Sequence, residues 1–164
     1  MKRKRKVSSI LATLMVSSNL IIPSGLSAYA ETGTTAGVSN NLLQDDFGDG
    51  DFSSNPTWTV DSGEWQISAD PADSSNKVLN QTDTIEGIIS AGSSKWTDYA
   101  VSMRLRAPST ANVWPGILAR FKDKSNYYYL QMQKSSLVLT KVVNGASTTL
   151  KSANFTTKEN TWYT

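Results

Sequence analysis

The stretch Lys122–Lys134, KDKSNYYYLQMQK, sets three tyrosines in a row behind a polar turn. A strand sends successive side chains to opposite faces, so Tyr127 and Tyr129 point one way and Tyr128 the other. Continued along the stretch, Tyr128, Leu130 and Met132 form an apolar row, and Tyr127, Tyr129, Gln131 and Gln133 a polar-aromatic one. We expect the first row to face a core and the second to face outward.

The same period of two runs outward in both directions. In DYAVSMRLRA (Asp98–Ala107), Tyr99, Val101, Met103 and Leu105 alternate with Ala100, Ser102, Arg104 and Arg106. In PGILARFKD (Pro115–Asp123), Ile117, Ala119 and Phe121 alternate with Leu118 and Arg120. TWTVDSGEWQIS reads as two strands about Asp61-Ser62-Gly63, KVLNQT and EGIISAG as two more, and Asn144-Gly145 is a strong hairpin signal. No segment has the period of a helix of three turns. Short strands separated by turn signals predict an all-β fold, an antiparallel β-sandwich of the jelly-roll kind. KENTWYT leads from a turn into a new strand just before Thr164. We expect a chain that lacks the last strands of its sandwich; a short terminal strand is the alternative.

The first thirty residues read differently. Lys2 to Lys6 form a basic head, Val7 to Ile22 a mostly apolar stretch diluted by serines, and Ala28-Tyr29-Ala30 a small-x-small site. That is the layout of a cleaved secretory leader, residues 1–30, and it predicts a secreted, extracellular protein with no membrane segment after cleavage. The alternative, a membrane anchor, is weakened by Ser8, Ser9, Ser17, Ser18 and Asn19. Residues 31–41, ETGTTAGVSNN, are small and polar, the composition of a flexible linker. Residues 42–164 then make one domain. Five of the 16 Lys and Arg residues lie in the basic head and none of the 14 Asp and Glu does, so the rest carries 11 against 14, a net of −3. No basic patch interleaved with aromatics points to nucleic acid. The absence of histidine and cysteine excludes Ser-His-Asp and Cys-His catalysis, most zinc sites and disulfides.

Taken in order, LLQDDFGDGDFSSNPTWTVDSGEWQIS, SSKWTDYAVSMRLRA, GILARFKDKSNYYYLQM and LTKVVNGASTTL…NTWYT resemble a concanavalin-A-like jelly roll. More narrowly, they resemble the laminin-G-like carbohydrate-binding modules of secreted bacterial polysaccharide-degrading enzymes, pectate lyases among them. The resemblance spans Leu43 to Thr164, and its most specific run is W-x-D-Y-x-V, A-R-[FY]-K-D, N-Y-Y-Y. It implies glycan binding without cleavage, a catalytic domain elsewhere in the full-length protein, and further strands after TWYT.

The residues themselves offer a candidate site. Arg104, Arg106, Arg120, Tyr127, Tyr129 and Gln131 would share the outward face if their three strands were neighbours. Aromatic rings stack on sugar C–H faces, and planar amides and guanidinium groups give paired hydrogen bonds to hydroxyls or to a uronate carboxylate, which makes an acidic polysaccharide such as pectin a natural partner. The alternative is a solvated sheet face with salt bridges and Tyr–Arg packing. Trp114, in a loop before a strand, is either a sugar platform or a plug at the end of the sandwich. Trp58 and Trp65 read as core, and Trp96 as packing at a strand entrance. Asp45, Asp46, Asp49 and Asp51 supply hard oxygen ligands at short spacing and suit one structural calcium ion, although the spacing is not that of an EF-hand; a polar turn is the alternative. Glu31, Glu64, Glu86 and Glu159 form no paired-carboxylate motif of a jelly-roll hydrolase, and no β-helix repeat of a pectate lyase is visible. A glycan-binding module is thus the leading expectation, with an adhesion module and a jelly-roll glycoside hydrolase behind it.

Overall fold

The computed structural model describes residues 11–17, 21–23, 26–29, 41–83, 86–110 and 113–164. The basic head and residues 31–40 of the expected linker lie outside them. In chain order the strands are β1 (Leu11–Ser17), β2 (Ile21–Pro23), β3 (Leu26–Tyr29), β4 (Asn41–Asp45), β5 (Thr59–Ser62), β6 (Trp65–Asp70), β7 (Asp73–Gln81) and β8 (Glu86–Ala91). They continue with β9 (Ala100–Ser102), β10 (Leu105–Arg106), β11 (Gly116–Asp123), β12 (Asn126–Met132), β13 (Ser136–Val143), β14 (Ala146–Asn154) and β15 (Trp162–Tyr163). No helix occurs among the described residues, and the fold is all-β and antiparallel throughout.

Three sheets are formed. The largest runs β14-β13-β12-β11-β1-β8-β5, the second β15-β10-β2-β7-β6, and the third β4-β3-β9. Its contiguous half, β11 to β14, is built from local hairpins. Asn144 and Gly145 both take positive φ, 50° and 78°, as a two-residue turn of the twist-matched kind requires. At the preceding turn the Asp123 carboxylate accepts from the Ser125 N–H (2.8 Å) and from the Asn126 amide (2.9 Å). The two turns are tied together: Gly145 N–H donates to the Ser125 carbonyl and Asn144 N–H to the Asn126 side chain. The turn at Asp61–Gly63 works differently, because β5 pairs with β8 while β6 pairs with β7, so the chain there changes sheets.

The main apolar cluster draws on all three sheets. Phe47, Trp58, Leu79, Ile89, Ala91, Met103, Leu105 and Met132 are buried in it, and Leu43, Trp65, Ile67, Val101, Ile117, Leu137 and Tyr163 pack against it. A second cluster joins Ile88, Leu118, Phe121, Tyr127 and Val142, with Tyr129 against it. The expected core row therefore needs correction. Register pairs Ile117 with Leu130 and Ala119 with Tyr128, so these do share a face. Only the Met132 end of that row reaches the main cluster; Leu130 is 39% exposed and Tyr128 half-buried. The opposite row, expected outward, is covered instead: Tyr127 is buried.

The cause is a bulge. Against β1, β11 carries one extra residue between Leu118 and Phe121, and Arg120 sits within that interval at φ 56°; against β12 the shift between Ala119 and Asp123 amounts to two residues. One extra residue in a strand reverses the side on which the following side chain emerges. Phe121 consequently leaves the Ile117–Ala119 face and meets Tyr127, ring centroids 6.1 Å apart.

The segment read as a leader holds β1 between β8 and β11. Leu14 stands opposite Ile89 on one side and Ile117 on the other. Proline there removes a ladder donor from a strand paired on both edges. We expect Leu14→Pro to lower the urea-unfolding stability of the 164-residue chain by about 1–3 kcal/mol, the cost of one orphaned ladder group. A chain processed after Ala30 no longer contains the position, and should show no difference between the two sequences.

Candidate functional site

The bulge throws Arg120 outward. Its backbone N–H donates to the Tyr99 hydroxyl (3.1 Å), joining β11 to the residue before β9. Its side chain is exposed at the mouth of a 410 Å³ cleft lined by Thr97, Asp98, Tyr99, Ala100, Val101, Ala119 and Arg120. Among the described residues the one ion pair within 4.0 Å is elsewhere, so Arg120 has no carboxylate partner there. Burial raises the Tyr99 phenol above its ordinary value, with Arg120 opposing, and the hydroxyl stays protonated at neutral pH.

Tyr99 is fixed from behind. Trp96 meets it edge-on, centroids 6.0 Å apart at 63°. The Trp96 ring lies over Gly92, whose φ is 121° and where an added Cβ would stand 2.5 Å from a ring carbon. Glycine is needed at that position both for its backbone and for the ring's close approach. Beyond Val101 and Ala119 the cleft runs into an apolar hollow of 170 Å³, lined also by Ile117, Tyr128, Tyr129, Leu130 and Leu139. Guanidinium and phenol thus stand beside a half-open apolar floor.

Arg104 and Arg106 do not share this face. They sit just before and within β10, in a different sheet from β11. Arg106 is 3% exposed and donates to the Asp70 carboxylate at 2.8 Å. Asp70 also accepts from the Ala72 N–H, the Trp162 indole and, at 3.5 Å, the Asn76 amide. Burial alone would raise the Asp70 carboxyl; the Ala72 bond, the Arg106 charge and the two side-chain donors together bring it below its ordinary 3.8. The Arg104 and Arg106 guanidinium groups lie 5.5 and 5.0 Å from the Trp162 ring centroid, within cation–π range. Arg106 is thus a structural ion, and the expectation of an open arginine there is corrected by the carboxylate that the end of β6 delivers to it.

The remaining candidates are dispersed. Tyr127 is closed off by Phe121, Leu118 and Val142, and Tyr129 is half-buried beside it. The Gln131 carbonyl oxygen accepts from the Gln133 amide. Trp114 is 42% exposed and lines neither this cleft nor the hollow. Asp45 is buried and accepts from the Phe47 N–H and the Trp58 indole; burial raises its carboxyl. Asp46, Asp49 and Asp51 each accept the N–H two residues on, and bonds from Ser54 and Ser53 lower Asp51 to about 2. No three acidic groups among the described residues converge to hold a metal, and the four carboxylates as placed do not fit a calcium site. The polar-turn alternative describes them.

Comparison with protein-family models, with curated proteins and with solved structures gives no match. Tyr99 and Asp70 are among the cleft residues that escaped sequence reasoning. Tyr99 alternates in phase with Met103 and Leu105 and so reads as core, although Gly92, Trp96 and Tyr99 together signal a ring packed on a glycine. Asp70 lies in the turn-rich SADPAD and reads as an ordinary turn acid.

Two tests follow from the geometry. Gly92→Ala should displace Trp96 and lower stability by about 1–3 kcal/mol, as strain at a special φ does, with a changed tryptophan near-ultraviolet spectrum as the local marker. Asp70→Asn should cost about 3–5 kcal/mol at pH 7, because it strands a buried arginine. A carboxyl lowered in the folded state stabilises above its unfolded value and loses that contribution as pH falls through the folded one. The gap between wild type and Asp70→Asn should therefore close below about pH 4, measured by urea titration at each pH.

Proposed function

We propose that this chain is a non-catalytic glycan-binding module, exported by its leader and attached to a polysaccharide-degrading enzyme, with a pectate lyase-type host acting on plant cell-wall polysaccharide as the leading case. The support is of two kinds. The sequence resembles laminin-G-like, jelly-roll carbohydrate-binding modules over Leu43–Thr164. The observation that carries the reading is Arg120: an exposed guanidinium held on left-handed backbone, with no carboxylate partner among the described residues, beside the Tyr99 phenol and an apolar hollow. Non-glycine residues at positive φ cost about 1 kcal/mol or more and gather at functional sites. Arginine can pair with a uronate carboxylate or with neighbouring hydroxyls, and the Tyr128–Leu130 floor can receive a sugar's C–H face. A shallow, wet cleft of this kind gives modest affinity, which suffices when attachment keeps a catalytic domain close to the polymer.

A second reading, an extracellular interaction module, draws on β14. All nine of its residues are exposed, among the described residues it pairs only with β13, and Leu150 is 48% exposed. Such an edge can accept another chain's strand.

Retention on insoluble or gel-immobilised polygalacturonate, arabinan, xylan, levan and β-glucan separates the two. Under the glycan reading at least one polymer retains the protein, and Arg120→Ala weakens retention about tenfold or more, the loss expected for charge-assisted bonds. Retention by none of the five sinks it and brings the edge-strand reading forward.

A further inference from the structure

We propose that the cleft beside Trp162 is a second binding site, and that it takes a neutral, polyhydroxylated ligand, an uncharged stretch of glycan. The inference rests on the glycan-binding reading but concerns a different place in the fold. The cleft encloses 460 Å³ and is lined chiefly by Asp70, Asp73, Ser75, Asn76, Arg104 and Trp162. Three parts of the chain meet there: the β6–β7 turn and the start of β7, the residue before β10, and β15.

Its chemistry is complementary to hydroxyl groups, which both donate and accept. Arg104 is exposed, has no carboxylate within 4.0 Å among the described residues, and lies over the Trp162 indole, 5.5 Å from its centroid. The ring face attracts the guanidinium placed over it, and a guanidinium offers paired N–H donors in a fixed planar fork. Asp73 supplies acceptors: its Oδ1 takes the Ser75 N–H and hydroxyl, and its Oδ2 takes neither. Asp70 is internally compensated by Arg106, so the open cleft presents one cation and one carboxylate. An anionic sugar would gain Arg104 only by approaching Asp73; a neutral diol satisfies both.

A second observation points the same way. Beside Asp70 and Trp162, the Nε of the 97% buried Arg106 finds no acceptor among the described residues. A buried donor of that kind calls for an ordered water or a ligand oxygen, and the two side chains that hold Arg106, Asp70 and Trp162, both line this cleft. The two clefts also lie at opposite ends of β9, with Tyr99 before it and Arg104 after it. Five residues span at most about 17 Å, so one polymer could engage both and gain from the linkage.

The test is calorimetric titration of the full chain with oligosaccharides from xylan, arabinan, levan and β-glucan, and with oligogalacturonate, in wild type and in Arg104→Ala, Arg104→Lys, Asp73→Asn and Arg120→Ala. We expect at least one neutral oligosaccharide to bind about tenfold or more weakly in Arg104→Ala and Asp73→Asn. Arg104→Lys keeps the charge without the planar fork and should also weaken it, with cooperative thermal unfolding as the check that each variant is folded. Neutral binding that is the same in Arg104→Ala as in wild type overturns the proposal, as does the absence of any neutral ligand. Oligogalacturonate binding that is lost in Arg104→Ala and strengthened in Asp73→Asn overturns the neutral class. Binding lost only in Arg120→Ala sinks this site and leaves the other cleft standing, whereas binding lost only in Arg104→Ala does the reverse.

Discussion

A single residue at φ 56° inside a strand organises the hairpin half of the large sheet. Without the bulge at Arg120, β11 would pair with β1 in uninterrupted register, and Phe121 would stay on the face of Ile117 and Ala119. With it, Phe121 crosses to Tyr127 and closes a second apolar cluster on the far side of the sheet. The same step frees the Arg120 side chain and turns its N–H onto Tyr99. Local strain, a repartitioned core and an exposed cation are one event. Strain of this size persists only where surrounding contacts overdetermine it, and here the Phe121 ring on one side and the Tyr99 hydroxyl on the other do so.

The two arginine sites use the same side chain in opposed ways. Arg106 is withdrawn from water and held by Asp70 and Trp162, an arrangement that is costly to break and weak as a source of net stability. What it supplies is geometry: it ties the end of β6 to β10 and β15, three elements distant in sequence. Arg104, two residues earlier, shares the Trp162 ring but keeps its donors in solvent. Arg120 has neither ring nor carboxylate among the described residues. The gradation from buried ion to open donor follows from where each strand ends relative to an acid, and composition carries no trace of it.

The backbone pairing of β1 adds a further constraint. A strand bonded on both edges by β8 and β11 unites the hairpin half of the large sheet with β8 and β5. Its sequence is also the one from which a leader was expected. Ladder pairing needs only backbone donors and acceptors in extended conformation, so an apolar stretch of the right length can satisfy those edges whatever other role its side chains serve.

Much was legible from the residues. The period of two, the Asn144-Gly145 turn and the scarcity of helix signals determined an all-β, antiparallel chain, and the grouping of Ile117 with Leu130 and of Leu118 with Tyr129 follows from alternation alone. Trp58 as core and Asp45–Asp51 as a polar turn were also within reach, because burial of an indole and side-chain capping of nearby amides are local tendencies. Alternation assigns side chains to two faces but does not say which is covered, since coverage is supplied by other strands. Only the tertiary structure buried Tyr127 and opened Leu130. Only the tertiary structure parted Arg104 and Arg106 from Arg120, by sending β10 and β11 to different sheets. The physical reason is range: strand period and turn chemistry act over a few residues, whereas a bulge's consequence and a buried ion's partner are decided by contacts between segments dozens of residues apart.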